Sequence, residues 1–222
     1  MALAGSLFPL ICFFFYGLLA ARIEIVRPSL SMIMSVQRRR WVENAVHRDT
    51  PVDAILSGNL MSSVSFFAST TVLLILAMFA VFGQLDAVLT AVTVIQPDQA
   101  ISRGDIERHL VIVLVLFVLA FLSFTLSLRQ FNHFCIMLGA ADHSERSDPV
   151  EIRVITALNT LGARNFNQGI RAYYFAISMV VWFISPLAAI VATIVISASI
   201  LYREFFSSAR NLVAGLKTEP SK

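Results

Sequence analysis

The chain has 222 residues, 57% of them hydrophobic and 14% charged, with a mean hydropathy of +0.77. Soluble domains carry about 25% charged residues. This is therefore a membrane composition, and a soluble four-helix bundle is excluded because its helices would each need a polar face. The net charge of +3 comes from arginines near the ends of apolar runs, which suits membrane topology; there is no basic, aromatic-laced face or module for nucleic acid.

Four uncharged runs each reach the roughly 18–20 residues a spanning helix needs. The first, 3–21, is rich in phenylalanine (Phe8, Phe13, Phe14, Phe15). No basic residue precedes it, unlike a cleaved signal, so it reads as a retained span. It ends near Arg22 and Glu24. In the connection 22–55, Leu30, Ile33, Met34, Trp41, Val42 and Ala45 recur at helical spacing while Arg38, Arg39 and Arg40 crowd together. That pattern predicts a basic amphipathic helix in the membrane interface, with Trp41 at headgroup level. It serves either for contact with lipid or a partner, or as a topogenic basic loop.

The second span, 56–83, carries Asn59, Ser62, Ser65 and Ser69 along one side. Small hydroxyl residues in a stripe let helix backbones approach, so this is a packing seam or, alternatively, a polar pathway. In the connection 84–109, Leu85, Val88, Leu89 and Val92 predict a short helix ending before Pro97. The third span, 110–138, is apolar to Leu128 and then holds Arg129, Gln130 and Asn132. An arginine in such a run must find partners or reach the interface. The other spans are expected to pack around this one.

In the connection 139–171, residues 140–147 read as a polar turn. Asp148, Pro149 and Glu151 then read as a helix start. The helix has an apolar stripe of Val150, Val154, Ala157, Leu158 and Leu161, is too short and polar to span, and is expected to stop at Gly162. The fourth span, 172–202, opens with Tyr173 and Tyr174 in an aromatic belt and is expected to kink at Pro186. Ser178, Ser185, Ala189, Ala192 and Ser199 give it a small-residue seam. The tail, 203–222, is polar.

The fold class predicted is all-α: one membrane domain, 1–222, a polytopic bundle of four transmembrane helices with short interfacial amphipathic helices. Lys and Arg number six in 22–53, five in 129–171, two in 86–108 and four in the tail. With four spans, the positive-inside rule puts 22–55 and 139–171 in the cytoplasm and both ends of the chain outside, where the basic tail fits poorly.

No catalytic residue, metal site or cofactor is expected. His47, His109, His133 and His143 are scattered, and only His133, beside Asn132, draws interest. Cys12 and Cys135 lie in apolar runs as free thiols. There is no Gly-flanked serine elbow and no phosphate-cradling glycine loop.

Four stretches occur in a distinctive order: RRRWVE at 38–43, GNLMSSVSFFASTTVLLILA at 58–77, LSLRQFNHFCIMLGAA at 126–141 and FNQGIRAYYFA at 166–176. Together they resemble the membrane family catalogued as domain of unknown function 599, in its bacterial form, over about residues 8–207. The resemblance implies a several-span membrane protein of unknown activity, with Asn59, Arg129, Asn132 and Arg171 inside the family's own motifs; the localisation expected is the cell inner membrane. It implies no catalytic residue.

Two functional readings follow. The first is a structural or assembly component, a homo-oligomer or an accessory subunit, partnered by the bilayer and by itself or other membrane subunits. The alternative is a channel or small-solute or anion transporter built on Asn59, Ser62, Arg129, Asn132, Asn167 and Arg171. Arg129 is expected to donate into a polar cluster joining the second, third and fourth spans at one membrane side.

Overall fold

The structure is a computed structural model that describes residues 1–48, 51–141 and 148–215. Most of the turn expected at 140–147, including His143, lies outside the described residues, as does the tail from 216 on. The helices are α1 (Ala2–Glu24), α2 (Leu30–Ala45), α3 (Val52–Phe82), α4 (Leu85–Ile95), α5 (Arg103–Ala140), α6 (Pro149–Val180), α7 (Pro186–Phe205) and α8 (Ser208–Ala214), with a 3-10 turn at Val181–Phe183. No strand occurs among the described residues. The chain is an all-helical bundle, and four of its helical segments are long and apolar enough to cross a membrane: Ala2–Glu24, Val52–Phe82, Arg103–Ala140 and Pro186–Ala214.

Local chemistry sets the helix starts. Ser29 accepts from the Met32 amide at 3.0 Å to open α2. Ser102 and Asp105 form a reciprocal capping box at the start of α5, satisfying two orphan amides at once. Asp148 accepts from the Val150 amide at 2.8 Å, with Pro149 in the first turn of α6, as its spacing predicts. Ser185 precedes Pro186 at the start of α7.

α5 is the hub. Its buried residues include His109, Val113, Leu116, Ala120, Phe124, Ser127, Phe131 and Phe134, recurring at steps of three or four. That stripe packs chiefly on α6 and α3 and also meets α1 and α4. Two bulky rings press into α6 where it has no side chain. A Cβ on Gly162 would lie 2.9 Å from the Phe131 ring, and one on Gly169 only 2.5 Å from the Phe124 ring.

This packing corrects the expected helix boundaries. Gly162 does not end a helix; it lies inside α6, where its missing Cβ admits Phe131. The short helix and the start of the fourth span are therefore one 32-residue helix, and the expected span 172–202 is divided. Its first part ends α6. The chain then reverses through Val181–Phe183 and Ser185, and α7 begins at Pro186, which lacks the amide a continuing helix would need.

Contacts at successive levels give the directions. α6 runs antiparallel to α5, from Gly162 beside Phe131 to Met179, whose carbonyl lies 3.1 Å from His109 Nε2. α7 runs back along α6, from Thr193 on Ser178 to Arg203 on Tyr174. α1 begins beside Trp182 and passes Phe175, while α3 carries Met61 beside Cys135 and Phe67 on Phe124. Hence α1, α5 and α7 point one way and α3 and α6 the other. The start of α1 lies at the α4 end, and α8 lies at the opposite end against α2, where Arg210 donates to the Pro28 carbonyl. The two ends of the described chain are thus at opposite ends of the bundle. α6 is what adds the further length of the bundle between them.

Two apolar cores result. The larger runs through the bundle around Leu116, Phe124, Phe175, Met179 and Trp182. The smaller one, Val42, Val46, Phe134, Ala141 and Ile155, lies at the far end, under α2. Among the described residues, only Arg103 and Arg108 belong to the α4 end; the other arginines lie toward the α2 end, here called the basic end.

Candidate functional site

The polar residues singled out in the sequence separate into two groups. Asn167 and Arg171 enter a junction of four helices at the basic end. Asn167 Nδ2 reaches Ser31 Oγ at a long 3.5 Å, and the Ser31 amide donates to Glu204 at 2.9 Å. The Arg171 guanidinium stands 5.1 Å from the centre of the Tyr16 ring and within electrostatic reach of Glu204. A cation over an aromatic face and beside a carboxylate is a stable arrangement with little water present. The junction joins α1, α2, α6 and α7. Arg27 braces it from the outside, over the Phe206 ring at 4.6 Å.

Arg129 and Asn132 do not join it. Both are exposed, and among the described residues Arg129 makes no hydrogen bond or ion pair. The reason is angular. Ser127 and Phe131 face α6, Ser127 donating to the Gly162 carbonyl at 2.7 Å. A residue two places from each lies on the far side of a 3.6-residue turn. Asn59 and Ser62 are exposed on α3 as well, Ser62 with Ser65 and Ser69 lining an open groove of about 700 Å³. The second small-residue seam is satisfied internally: Thr193 donates to Ser178 at 3.1 Å, and Ala189 is buried.

Trp41 turns inward. Its Nε1 donates to Asp53 Oδ1 at 2.6 Å and its ring leans on Phe134, 5.5 Å between centroids. A buried indole N–H needs an acceptor, and here the carboxylate supplies it. Arg48 donates to the same Asp53 oxygen at 2.8 Å. Of the three consecutive arginines, Arg39 is exposed and pairs with Glu43, while Arg38 and Arg40 are half-buried. Asp53 is 6% exposed and its Oδ2 has no partner among the described residues. It lines a pocket of about 400 Å³ with Arg48, Ser57, Gly58, Met61 and Cys135.

At the α4 end, the fully buried His109 stacks on Trp182, centroids 4.3 Å apart and planes 14° from parallel. The Met179 carbonyl can only accept, so His109 Nε2 carries the proton and Nδ1 accepts from Ser6 at 2.9 Å. Trp182 Nε1 donates to the Ala2 carbonyl, and Gln96 donates to the carbonyls of Trp182 and Phe183. This network clamps the α6–α7 reversal to α1 and α5. Trp182 is thus a core residue, and Tyr173 bonds Thr71 across to α3. His133, by contrast, is exposed.

Asp53, His109, Tyr16 and Glu204 escaped the sequence reading. His109 had a signal, since it falls in register with the buried stripe of α5. Asp53 had none, because its partners Trp41 and Arg48 come from another helix and the turn after it. Among the described residues, no three His, Cys, Asp or Glu side chains come together as a metal site would require, and Cys12 and Cys135 are free.

A family model described as "Protein of unknown function, DUF599" matches residues 5–209. No curated protein and no solved structure matches the chain.

Proposed function

The chain belongs to the DUF599 family of proteins of unknown function, and from its own residues we propose that it is a structural or assembly component of a bacterial inner membrane, acting as a homo-oligomer or as an accessory subunit. The observation that carries this is the outer face of α5. Val111, Val115, Val118, Leu122 and Leu126 form an exposed apolar stripe, continued by exposed Arg129, Asn132 and His133. Polar side chains that their own chain leaves unpartnered, at the border of a lipid-facing stripe, are what a second membrane helix satisfies. The conduit reading is weaker, because Arg129, Asn132, Asn59 and Ser62 face outward while aromatic and apolar side chains fill the interior.

The orientation that supports this reading places the basic end in the cytoplasm. α6 and the turn after it serve as a further passage through the bilayer, beside the four apolar helices. α2, the start of α6 and α8 then share the cytoplasmic side, and Arg203 and Arg210 no longer conflict with the rule.

Oligomeric mass measured in detergent tests the proposal. The wild type is expected to run above the monomer, or with a bound subunit. Arg129→Leu combined with Asn132→Leu is expected to reduce it to the monomer without changing its helical content. An unchanged assembly in that variant, with anion flux in liposomes lost, would favour the conduit.

A further inference from the structure

The pocket at Asp53 lies outside that assembly face. It opens where the end of α2, the start of α3 and the end of α5 meet, and its lining falls into three kinds. Arg48 and Asp53 are charged, Ser57 is polar, and Met61, Cys135 and Leu138 are apolar. Met61 and Gly58 also line the groove that runs along α3 past Ser62, Ser65, Phe66 and Ser69. The two hollows thus adjoin at Gly58 and Met61, a charged chamber beside a shallow groove.

Depth gives the chamber its setting. The hydrocarbon core takes about 20 helical residues. α7, with 20 residues, measures it from Pro186 to Phe205. Counted along α5 from His109, the same length ends near Arg129. Cys135, in contact with Met61 at 3.8 Å, lies more than a turn beyond. The chamber therefore sits at headgroup level, and the α3 groove runs from it into the acyl region.

Its charges select the headgroup. Asp53 Oδ1 is fully used by Trp41 and Arg48, which hold the carboxylate in place. Oδ2 is buried without a partner among the described residues, and such an atom costs free energy until a donor reaches it. Arg48 spends one N–H on Asp53, keeps others free and is 43% exposed on its side chain. A group that carries a positive donor a few bonds from a negative acceptor complements this pair. We propose that the chamber and groove bind a phospholipid with a primary-amine headgroup. The ammonium donates to the Asp53 carboxylate, the phosphate accepts from Arg48, and one acyl chain lies in the groove beyond Gly58 and Met61. A quaternary ammonium has no N–H to give and is discriminated against.

Native mass spectrometry of the full chain in detergent tests the assignment with four probes: dihexanoylphosphoethanolamine, dihexanoylphosphocholine, dihexanoylphosphoglycerol and free phosphoethanolamine. The phosphoethanolamine lipid is expected to bind about tenfold more tightly than either other lipid, the scale of one charge-assisted hydrogen bond, and free phosphoethanolamine more weakly still. Asp53→Asn should erase the preference. Because Asp53 also holds Trp41 and Arg48, Gly58→Phe is the second variant. A Cβ there meets nothing within 4 Å, so the ring fills the groove without disturbing the carboxylate, and lipid binding is expected to fall with the fold intact. Equal binding of the three lipids, or full binding to folded Gly58→Phe, overturns the proposal. Binding of the free headgroup as tightly as the lipid overturns the lipid as its source. A protein chain that is retained by the wild type and released by Gly58→Phe, with no lipid bound, gives the pocket to a protein instead.

Discussion

Gly169 shows how far a single missing atom reaches in this molecule. Alanine is favoured over glycine in a helix by about 1 kcal/mol, so on propensity alone Gly169→Ala would stabilise α6. The added Cβ, however, falls 2.5 Å from a Phe124 ring that is 0% exposed and has no room to withdraw. Overpacking of this kind costs about 1–3 kcal/mol, which outweighs the propensity gain. Thermal unfolding in detergent should place Gly169→Ala below the wild type. Gly17→Ala, on α1 with open space around it, should match or exceed the wild type; two indistinguishable variants would remove the close packing from the account. At the other end of the bundle, His109→Phe keeps a ring against Trp182 but strips partners from Ser6 and the Met179 carbonyl. Ser6 keeps the Ala2 carbonyl and the Met179 carbonyl keeps the Val181 amide, so the loss is that of two hydrogen bonds, about 1 kcal/mol each, and unfolding should register it. His109→Gln, able to both donate and accept, should recover part of it.

α6 is the element on which the sequence reading and the structure part. The starts of α2, α4 and α6 were legible, because Asp148, Pro149 and the apolar spacings at 30–45 and 85–92 act locally. The course of α6 was not. Asn165, Asn167, Gln168 and Arg171 read as a connection because hydropathy averages over the helix circumference, whereas α6 turns Gly162, Gly169, Ala172 and Phe175 inward as a packed stripe. Arg171 is tolerated there because the Tyr16 ring faces its guanidinium and Glu204 lies within electrostatic reach, both distant in sequence. The topology that follows has a direct check. In a variant freed of Cys12 and Cys135, Ser208→Cys and Val36→Cys should be labelled from one face of the membrane and Gln99→Cys from the other. Labelling of Ser208→Cys together with Gln99→Cys would mean that α6 does not traverse the bilayer.

At the scale of the whole molecule, the all-helical membrane bundle with α5 at its centre was open to a reading of composition and periodicity. The candidate site was only half legible. Arg171 and Asn167 meet partners, while Arg129 looks away, and the difference lies in helix phase: Ser127 and Phe131 claim the inner face of α5 and leave position 129 outside. The stripe on which Arg129 sits extends the length of the bundle, from Val111 to Ile136, and its outward direction underlies the assembly proposal. The most direct test is a particle structure of the protein purified from its own membrane in mild detergent. The account predicts a second chain, either another copy or a different subunit, packed along the outer face of α5 and contacting Arg129 and Asn132. A lone monomer with that face covered by detergent, and a continuous water-filled path through the bundle, would contradict it.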